Sequence, residues 1–111
     1  MPQATFVREG NTIDYTPAAT VATGAVVVQG ELVGVAKVEI PAGRPGALAV
    51  AGVFDFPKAT SFGSAIGVGL EVYWDAGLSL ATTSAAGNKR IGKTIKAAAD
   101  SDPTVRVRLS Q

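Results

Sequence analysis

Apolar and polar residues alternate along short segments of most of the chain, and this pattern predicts β-strands. The alternation is clear over residues 12–16, 71–75 and 104–109, and β-branched residues are frequent over 25–28 and 32–40. Successive side chains of a strand point to opposite faces, so a period of two indicates one buried and one exposed face. In the last segment, Val105, Val107 and Leu109 are predicted to point inward, and Arg106 and Arg108 outward.

Turn-forming residues separate these segments. Gly, Pro, Asn and Asp are concentrated at 9–11, 29–30, 41–46, 75–77, 86–88 and 100–103. Short strands bounded by such turns are typical of β-sandwiches and small barrels. The best helical candidate, over 61–66, is one or two turns long and is weakened by Gly63, and a second at 95–99 is too short to stand alone. We therefore predict an all-β fold: a small barrel-like β domain over 6–111 with at most one short helix, preceded by an extended, flexible N-terminal arm over 1–5.

One segment, residues 47–56, reads as a strand that is apolar on both faces. One face carries Leu48, Val50, Phe54 and Phe56, and the other carries Ala47, Ala49, Ala51 and Val53. A strand with two apolar faces lies either in the middle of a layered core or at a contact between subunits. The sequence leaves both interpretations open for the alanine-rich face.

The amino-acid composition limits the kinds of functional site that the chain can contain. The chain has 111 residues, 47% of them hydrophobic, which suits a single domain with a real core. It contains no histidine and no cysteine. Nucleophilic sites of the Ser-His-Asp or Cys-His type, the usual zinc and haem sites, and disulfides are therefore excluded. The formal net charge of +1 argues against a dedicated nucleic-acid-binding protein. We expect no enzymatic activity and no cofactor.

The chain shows no signal for a membrane. Its longest uncharged stretch, 15–30, contains Pro17 and several polar residues, whereas a membrane-spanning helix needs about 20 mainly apolar residues. The first residues lack the basic and apolar regions of an export signal. Synthesis in the cytoplasm and no association with membranes are expected.

One motif matches a nucleotide-binding pattern. Residues 87–94, GNKRIGKT, fit the P-loop consensus G-x-x-x-x-G-K-[ST]. A P-loop joins a buried strand to a long helix, but the preceding segment is a poor strand and only residues 95–111 follow, interrupted by Pro103. The alternative is a turn at Gly87 leading into a strand with exposed lysines at 89, 93 and 96. We favour the strand.

Other polar and aromatic candidates are equally unspecific. Glu71 and Asp75 would lie roughly 13 Å apart on one strand face, too far for a glycosidase pair. Asp100 and Asp102 lie in a turn that ends at Pro103, where aspartates usually bond to the local backbone. The adjacent pair at 73–74, Tyr-Trp, could form a platform for a saccharide or a host surface, but the only tryptophan of a small barrel more often lies in the core.

A set of ordered motifs resembles a known family. The set is Phe6 with 9–16 (EGNTIDYT), Gly24 with Val27 and Val28, 32–36 (LVGVA), 52–59 (GVFDFPKA), 72–75 (VYWD), 87–92 (GNKRIG) and 105–109 (VRVRL). Together these motifs resemble the small phage capsid cement, or decoration, proteins over 6–109. Some members of that family have been labelled as recombinases, and the pattern at 87–94 shows how such a label could arise.

The resemblance implies a structural role in the virion. Such proteins bind the outer surface of the assembled head, often as trimers, and tie neighbouring major capsid proteins together. The partners expected are therefore the major capsid protein and further copies of the chain. The arm could add a strand to a capsid-protein sheet. Candidate contact residues are Pro2, Gln3, Ala4 and Thr5 of the arm and Arg106 and Arg108 of the last strand. A nucleotide-dependent recombination factor and a saccharide- or host-surface-binding β module are the alternatives.

Overall fold

Nine short strands make up the regular structure in a computed structural model that describes residues 3–5 and 10–111. The strands are β1 (Thr12–Tyr15), β2 (Val26–Gln29), β3 (Leu32–Val35), β4 (Gly46–Ala49), β5 (Gly52–Pro57), β6 (Glu71–Asp75), β7 (Leu80–Thr82), β8 (Lys89–Thr94) and β9 (Thr104–Leu109). No helix occurs among the described residues. The all-β prediction is confirmed.

The first sheet has four antiparallel strands in the order β1-β4-β3-β2. Strands β2 and β3 form a hairpin, and its two-residue loop begins at Gly30, whose positive φ of 60° suits glycine. Strands β1 and β4 pair over their full length, from Thr12 opposite Ala49 to Tyr15 opposite Gly46. Strand β3 meets β4 at a single pair, Val35 with Ala49, so the sheet consists of two strand pairs joined at one end.

The second sheet has five antiparallel strands in the order β5-β9-β8-β6-β7. Its two outer strands approach each other, because Lys58, directly after β5, forms a parallel bridge with Ala81 of β7. The sheet therefore curls so far that its edges touch at one point, although it does not close into a complete barrel. The inward-facing residues of β9 are Val105, Val107 and Leu109, as the alternation predicts.

Two clusters of buried apolar residues hold the fold. The larger cluster fills the curled second sheet and consists of Val35, Phe56, Ile66, Val72, Trp74, Ala81, Ile91, Ala98, Val105, Val107 and Leu109. The smaller cluster lies on the first sheet and consists of Ala36, Ile40 and Leu48, with Ile13, Tyr15, Val21 and Val27 packed against it. The larger cluster includes Val35 of β3, which ties the two sheets together.

The end of the chain adds a polar tie between the sheets. The side-chain amide of Gln111 donates to the carbonyl oxygen of Val33 at 2.6 Å, and its oxygen accepts from the Val33 amide, also at 2.6 Å. The glutamine side chain thus pairs with β3 as a peptide group of a neighbouring strand would. This pairing satisfies backbone groups of β3 beyond its single register pair with β4.

Two sequence predictions about local structure are wrong. The segment 47–56 is two strands in different sheets rather than one, because the chain turns at Val50 and Ala51 and enters β5 through Gly52 at a φ of 127°. The alternation that turns Val72 and Trp74 inward predicts the same for Leu70, but Leu70 lies just before β6 and is 46% exposed. The weak helical signal over 61–66 corresponds to a turn in which the Ser64 amide donates to the Ser61 carbonyl oxygen, which agrees with the prediction of at most one short helix.

Candidate partner-binding surface

Most of the exposed charged side chains that lie on strands are on the outer face of the second sheet. Side chains at alternate positions of β5, β9, β8 and β6 point away from the larger core. They include Val53, Asp55, Glu71, Tyr73, Arg90, Lys93, Arg106 and Arg108. Strand register places Val53, Arg108, Lys93 and Glu71 in one row across four neighbouring strands. We call this set of side chains the outer face.

Arg106, a predicted contact residue, is already paired within the chain. It lies directly opposite Asp55 of β5. Its Nε donates to Oδ1 of Asp55 at 2.9 Å and its Nη2 donates to Oδ2 at 3.1 Å. These hydrogen bonds lower the pKa of Asp55 and raise that of Arg106. The pair is a two-bond arginine–carboxylate contact on the surface, which orients Arg106 along the sheet.

Arg108, the other predicted contact residue, belongs to a group of cations that we call the basic cluster: Arg90, Lys93 and Arg108. Lys93 and Arg108 are register partners on β8 and β9. Within the described part of the chain, neither Lys93 nor Arg108 forms an ion pair. Arg90 does: its Nη2 lies 3.5 Å from Oε1 of Glu71. The three side chains and Ser110 line one surface cavity of about 90 Å³. Every charged group lining this cavity is positive.

A β-bulge brings Arg90 into the basic cluster. Val72 of β6 pairs with Gly92, and the next residue, Tyr73, pairs with Arg90, so Ile91 is an extra residue in β8. Strict alternation from exposed Lys93 would turn Ile91 outward and Arg90 inward. The bulge instead buries Ile91 completely and leaves Arg90 exposed. Bulges commonly redirect a side chain in this way.

The P-loop-like segment is part of this strand and has no phosphate-loop geometry. Gly87 lies in a turn at a φ of 74°, and 89–94 form β8 rather than a loop followed by a helix. Thr94, which would bind magnesium in a P-loop, is buried. Its hydroxyl donates to the Gly67 carbonyl oxygen at 2.6 Å and accepts from the Leu70 amide at 3.1 Å. The threonine is therefore already engaged in holding the loop before β6.

Gly92 has a steric role within the same segment. A side-chain carbon at this position would lie 2.0 Å from the carbonyl oxygen of Arg108 and 3.0 Å from the Ser110 amide nitrogen. Both are backbone atoms of β9 and its continuation, which cannot move aside as a flexible side chain could. The glycine therefore permits the close approach of β8 and β9, and this approach sets Lys93 against Arg108.

The aromatic pair at 73–74 divides between the two sides of the sheet. Trp74 is only 7% exposed and packs edge-on against Phe56, with ring centroids 6.0 Å apart. Tyr73 lies on the outer face, where its hydroxyl donates to Oε2 of Glu71 at 3.2 Å. This hydrogen bond raises the pKa of Tyr73. The tryptophan is a core residue, so it cannot serve as an exposed platform for a ligand.

Lys58 is the principal polar residue that the sequence interpretation missed. It is 3% exposed, and its Nζ donates to the carbonyl oxygens of Ala59 at 2.7 Å, Ala99 at 2.9 Å and Asp102 at 3.0 Å. The Asp100 carbonyl oxygen and the Ser64 hydroxyl lie slightly farther away, at 3.3 and 3.4 Å. One ammonium group thus ties the loop after β5 to the loop before β9, at the point where the edges of the second sheet touch.

The two turn aspartates complete this connection through their side chains. Oδ2 of Asp102 accepts from the Ala99 amide at 2.8 Å, which is the local backbone bond expected of a turn aspartate. Oδ1 of Asp100 accepts from the Ala65 amide at 2.8 Å, on the other loop. Across residues 3–5 and 10–111, no three or more acidic side chains come together in an arrangement that could hold a metal ion. Both carboxylates are structural.

Comparison with known proteins gives the decisive observation. Residues 7–109, nearly the whole chain, match the family described as phage cement protein. The chain belongs to the phage cement protein family. No curated protein and no solved structure matches it significantly. The match confirms the resemblance drawn from the ordered sequence motifs and gives the chain a structural role in the phage capsid.

The remaining contact residues predicted for this cement protein are dispersed. Gln3, Ala4 and Thr5 are exposed and belong to no strand, while Pro2 lies outside the described residues. On the predicted interface strand, Ala49 is buried inside the chain and Ala51 is half-buried, whereas Ala47 and Val53 are exposed. In the described ranges, no helix has the length and apolarity needed to span a membrane.

Proposed function

We propose that this cement protein binds the outer surface of the assembled phage head and bridges neighbouring major capsid proteins. In this proposal the cement protein is made in the host cytoplasm and is added to the shell after the shell has assembled. The observation that carries the proposal is the family match over residues 7–109. The polar side chains that could have formed a reactive site support a structural role instead, because each makes hydrogen bonds that hold loops together. They are Lys58, Thr94, Asp100 and Asp102.

The fold suits a rigid structural link between other proteins better than an enzyme. The loop after β5 and the loop before β9 are joined by one buried ammonium, and the outer edges of the second sheet are bridged beside it. In the described part of the chain, every buried side-chain nitrogen or oxygen has a hydrogen-bond partner. A rigid module of this kind can link two capsid subunits without deforming between them.

The proposed contacts are the arm and the outer face. Gln3, Ala4 and Thr5 are exposed outside the sheets, which leaves their backbone able to add to a partner sheet, with Pro2 preceding them. Arg106 and Arg108 lie on the outer face, where a partner surface can reach both. Three copies are the expected number in the assembled state, and their association would use exposed side chains outside the outer face, such as Ala47. Many modest contacts of this kind add up by avidity around a shell.

Sedimentation with capsids tests the proposal. Purified protein is mixed with undecorated heads of the same phage, both before and after expansion, and the pelleted fraction is quantified. We expect saturable binding to expanded heads at a fixed ratio of cement protein to major capsid protein. Absence of saturable binding to either form would contradict the proposal.

A further inference from the structure

The basic cluster combines features that are unfavourable unless a partner is present. Lys93 and Arg108 are directly opposite each other on neighbouring strands, and like charges in this relationship destabilise a sheet. The other two arginines of the outer face each have a carboxylate partner: Asp55 for Arg106 and Glu71 for Arg90. Among the described residues, the facing pair has no carboxylate within ion-pair distance, although Glu71 is the register partner of Lys93 on its other side.

Two irregular features of the β8 backbone hold the side chains of the basic cluster together. The bulge at Ile91 keeps Arg90 on the same face as Lys93, and the close approach permitted by Gly92 brings β8 against β9. The resulting cavity is lined by these three cations and Ser110. Guanidinium and ammonium groups offer only hydrogen-bond donors, so the ligand that completes such a cavity is an anion.

The surroundings favour the carboxylates of a protein over the phosphates of a nucleic acid. A nucleic acid needs a continuous basic stripe along its backbone, but Asp55 and Glu71 interrupt the outer face on both sides of the cluster. Next to Arg108 in the same row lies Val53, which is 55% exposed. A local anion site with an apolar neighbour resembles the charged and apolar mixture of protein interfaces.

We propose that the basic cluster is the docking point for an acidic patch of another protein, and that Lys93 and Arg108 bind its carboxylates, with Arg90, which has a single 3.5 Å contact to Glu71, beside them. This inference rests on the proposed function, which makes the major capsid protein the owner of that patch. Arg106 has a different role: its bond to Asp55 leaves it less available, so it borders the docking point without forming it. Charge complementarity of this kind determines orientation and the rate of encounter.

The variant Arg108→Glu separates docking from folding. A carboxylate at position 108 would lie opposite Lys93 and replace a repulsive pair with an attractive one, and Val53 on its other side carries no charge. We expect thermal stability equal to or above that of the wild type. Binding to expanded heads is expected to weaken by at least about tenfold, since the carboxylate would repel the acidic patch.

The matched control is Arg44→Glu, which makes the same change in net charge at an exposed position outside the second sheet. We expect it to bind heads as the wild type does. Raising sodium chloride from about 50 to 500 mM should weaken wild-type binding more than Arg108→Glu binding, because salt screens the contacts that the variant has lost.

The outcomes are distinguishable. Failure of the wild type to bind heads overturns the proposed function, and this inference with it. Binding by the wild type together with unchanged affinity of Arg108→Glu overturns the inference alone. Tighter wild-type binding to a duplex DNA oligonucleotide than to heads at equal salt would identify a nucleic-acid partner and also overturn it. Selective loss of head binding in Arg108→Glu, with Arg44→Glu unaffected, supports it.

Discussion

Asp55 and Arg106 face each other across β5 and β9, joined by two hydrogen bonds of 2.9 and 3.1 Å. The pair fixes an arginine that would otherwise extend into solvent, and it orders the outer face beside the basic cluster. Both side chains remain nearly half exposed, at 44% and 48%, so water screens their attraction. The pair therefore contributes more to the arrangement of charges on this face than to the stability of the fold.

The pH dependence of this pair gives the first prediction. Arg106 holds the pKa of Asp55 below its ordinary value of 3.8. The resulting stabilisation is present above the unfolded-state pKa and is lost as pH falls through the lower folded-state pKa. Asp55→Asn should therefore lower the melting temperature by a few degrees at most at pH 7, and this difference should disappear near about pH 2. Thermal unfolding at both pH values, with Glu39→Gln as an exposed control, checks this. A difference that grows in acid would contradict the assignment.

The second prediction concerns the buried ammonium of Lys58. Lys58→Met keeps much of the side-chain volume but removes the ammonium donor from the carbonyl oxygens of Ala59 and Asp102, and leaves the Ala99 oxygen with only the Asp102 amide. Polar groups left unsatisfied in the interior cost roughly 1–3 kcal/mol each before relaxation, so we expect a loss of about 2 kcal/mol or more in the free energy of unfolding. Urea denaturation measures it. Lys37→Met, at an exposed position, is the control and should change stability by less than about 0.5 kcal/mol. Equal stability of the two variants would show that Lys58 is not the link between the loops.

The third prediction tests the close approach of β8 and β9. Gly92→Ala places a methyl group against the Arg108 carbonyl oxygen, and the strands must separate to admit it. We expect destabilisation of about 3 kcal/mol, at the upper end of the usual cost of overpacking. Gly10→Ala is the matched control, because nothing lies within 4 Å of its added carbon. Denaturant unfolding of both variants is the measurement, and an unchanged Gly92→Ala protein would refute the described register.

The fourth prediction separates the strand from a phosphate-binding loop. Thr94→Val removes the hydroxyl that joins β8 to Gly67 and Leu70, so the free energy of unfolding should fall by about 1–3 kcal/mol. Thr104→Val, an exposed position on β9, should be nearly neutral. Calorimetric unfolding compares them. If Thr94→Val keeps full stability but abolishes magnesium-dependent nucleotide binding, the P-loop interpretation would be restored.

Local patterns predicted the strands better than their arrangement. Alternation over 71–75 and 104–109 matches β6 and β9 closely, because each has one face in the core and the other in solvent. The division of 47–56 between two sheets could not be foreseen from alternation, which continues on both sides of the turn. That division depends on Gly52 and on which strands later pair with β4 and β5, and these pairings are long-range.

The candidate surface was predictable only in part. Arg106 and Arg108 follow from the alternation of β9, but Arg90 reaches the outer face through a bulge that reverses the period of two. Lys58 carried a signal that was overlooked: it continues the alternate positions of Phe54 and Phe56, which points its side chain inward. A lysine on the apolar face of a strand needs hydrogen-bond acceptors for its ammonium group, and the loops at 59–64 and 99–102 supply them.

The most direct test of the cement role is an image of the decorated head. Expanded, undecorated heads are incubated with the protein and examined by cryo-electron microscopy with icosahedral averaging. We predict added density on the outside of the shell, at equivalent positions between neighbouring major capsid proteins, with the outer face of the second sheet turned toward the shell. Heads that show no added density after incubation with excess protein, or density confined to the interior, would contradict the account.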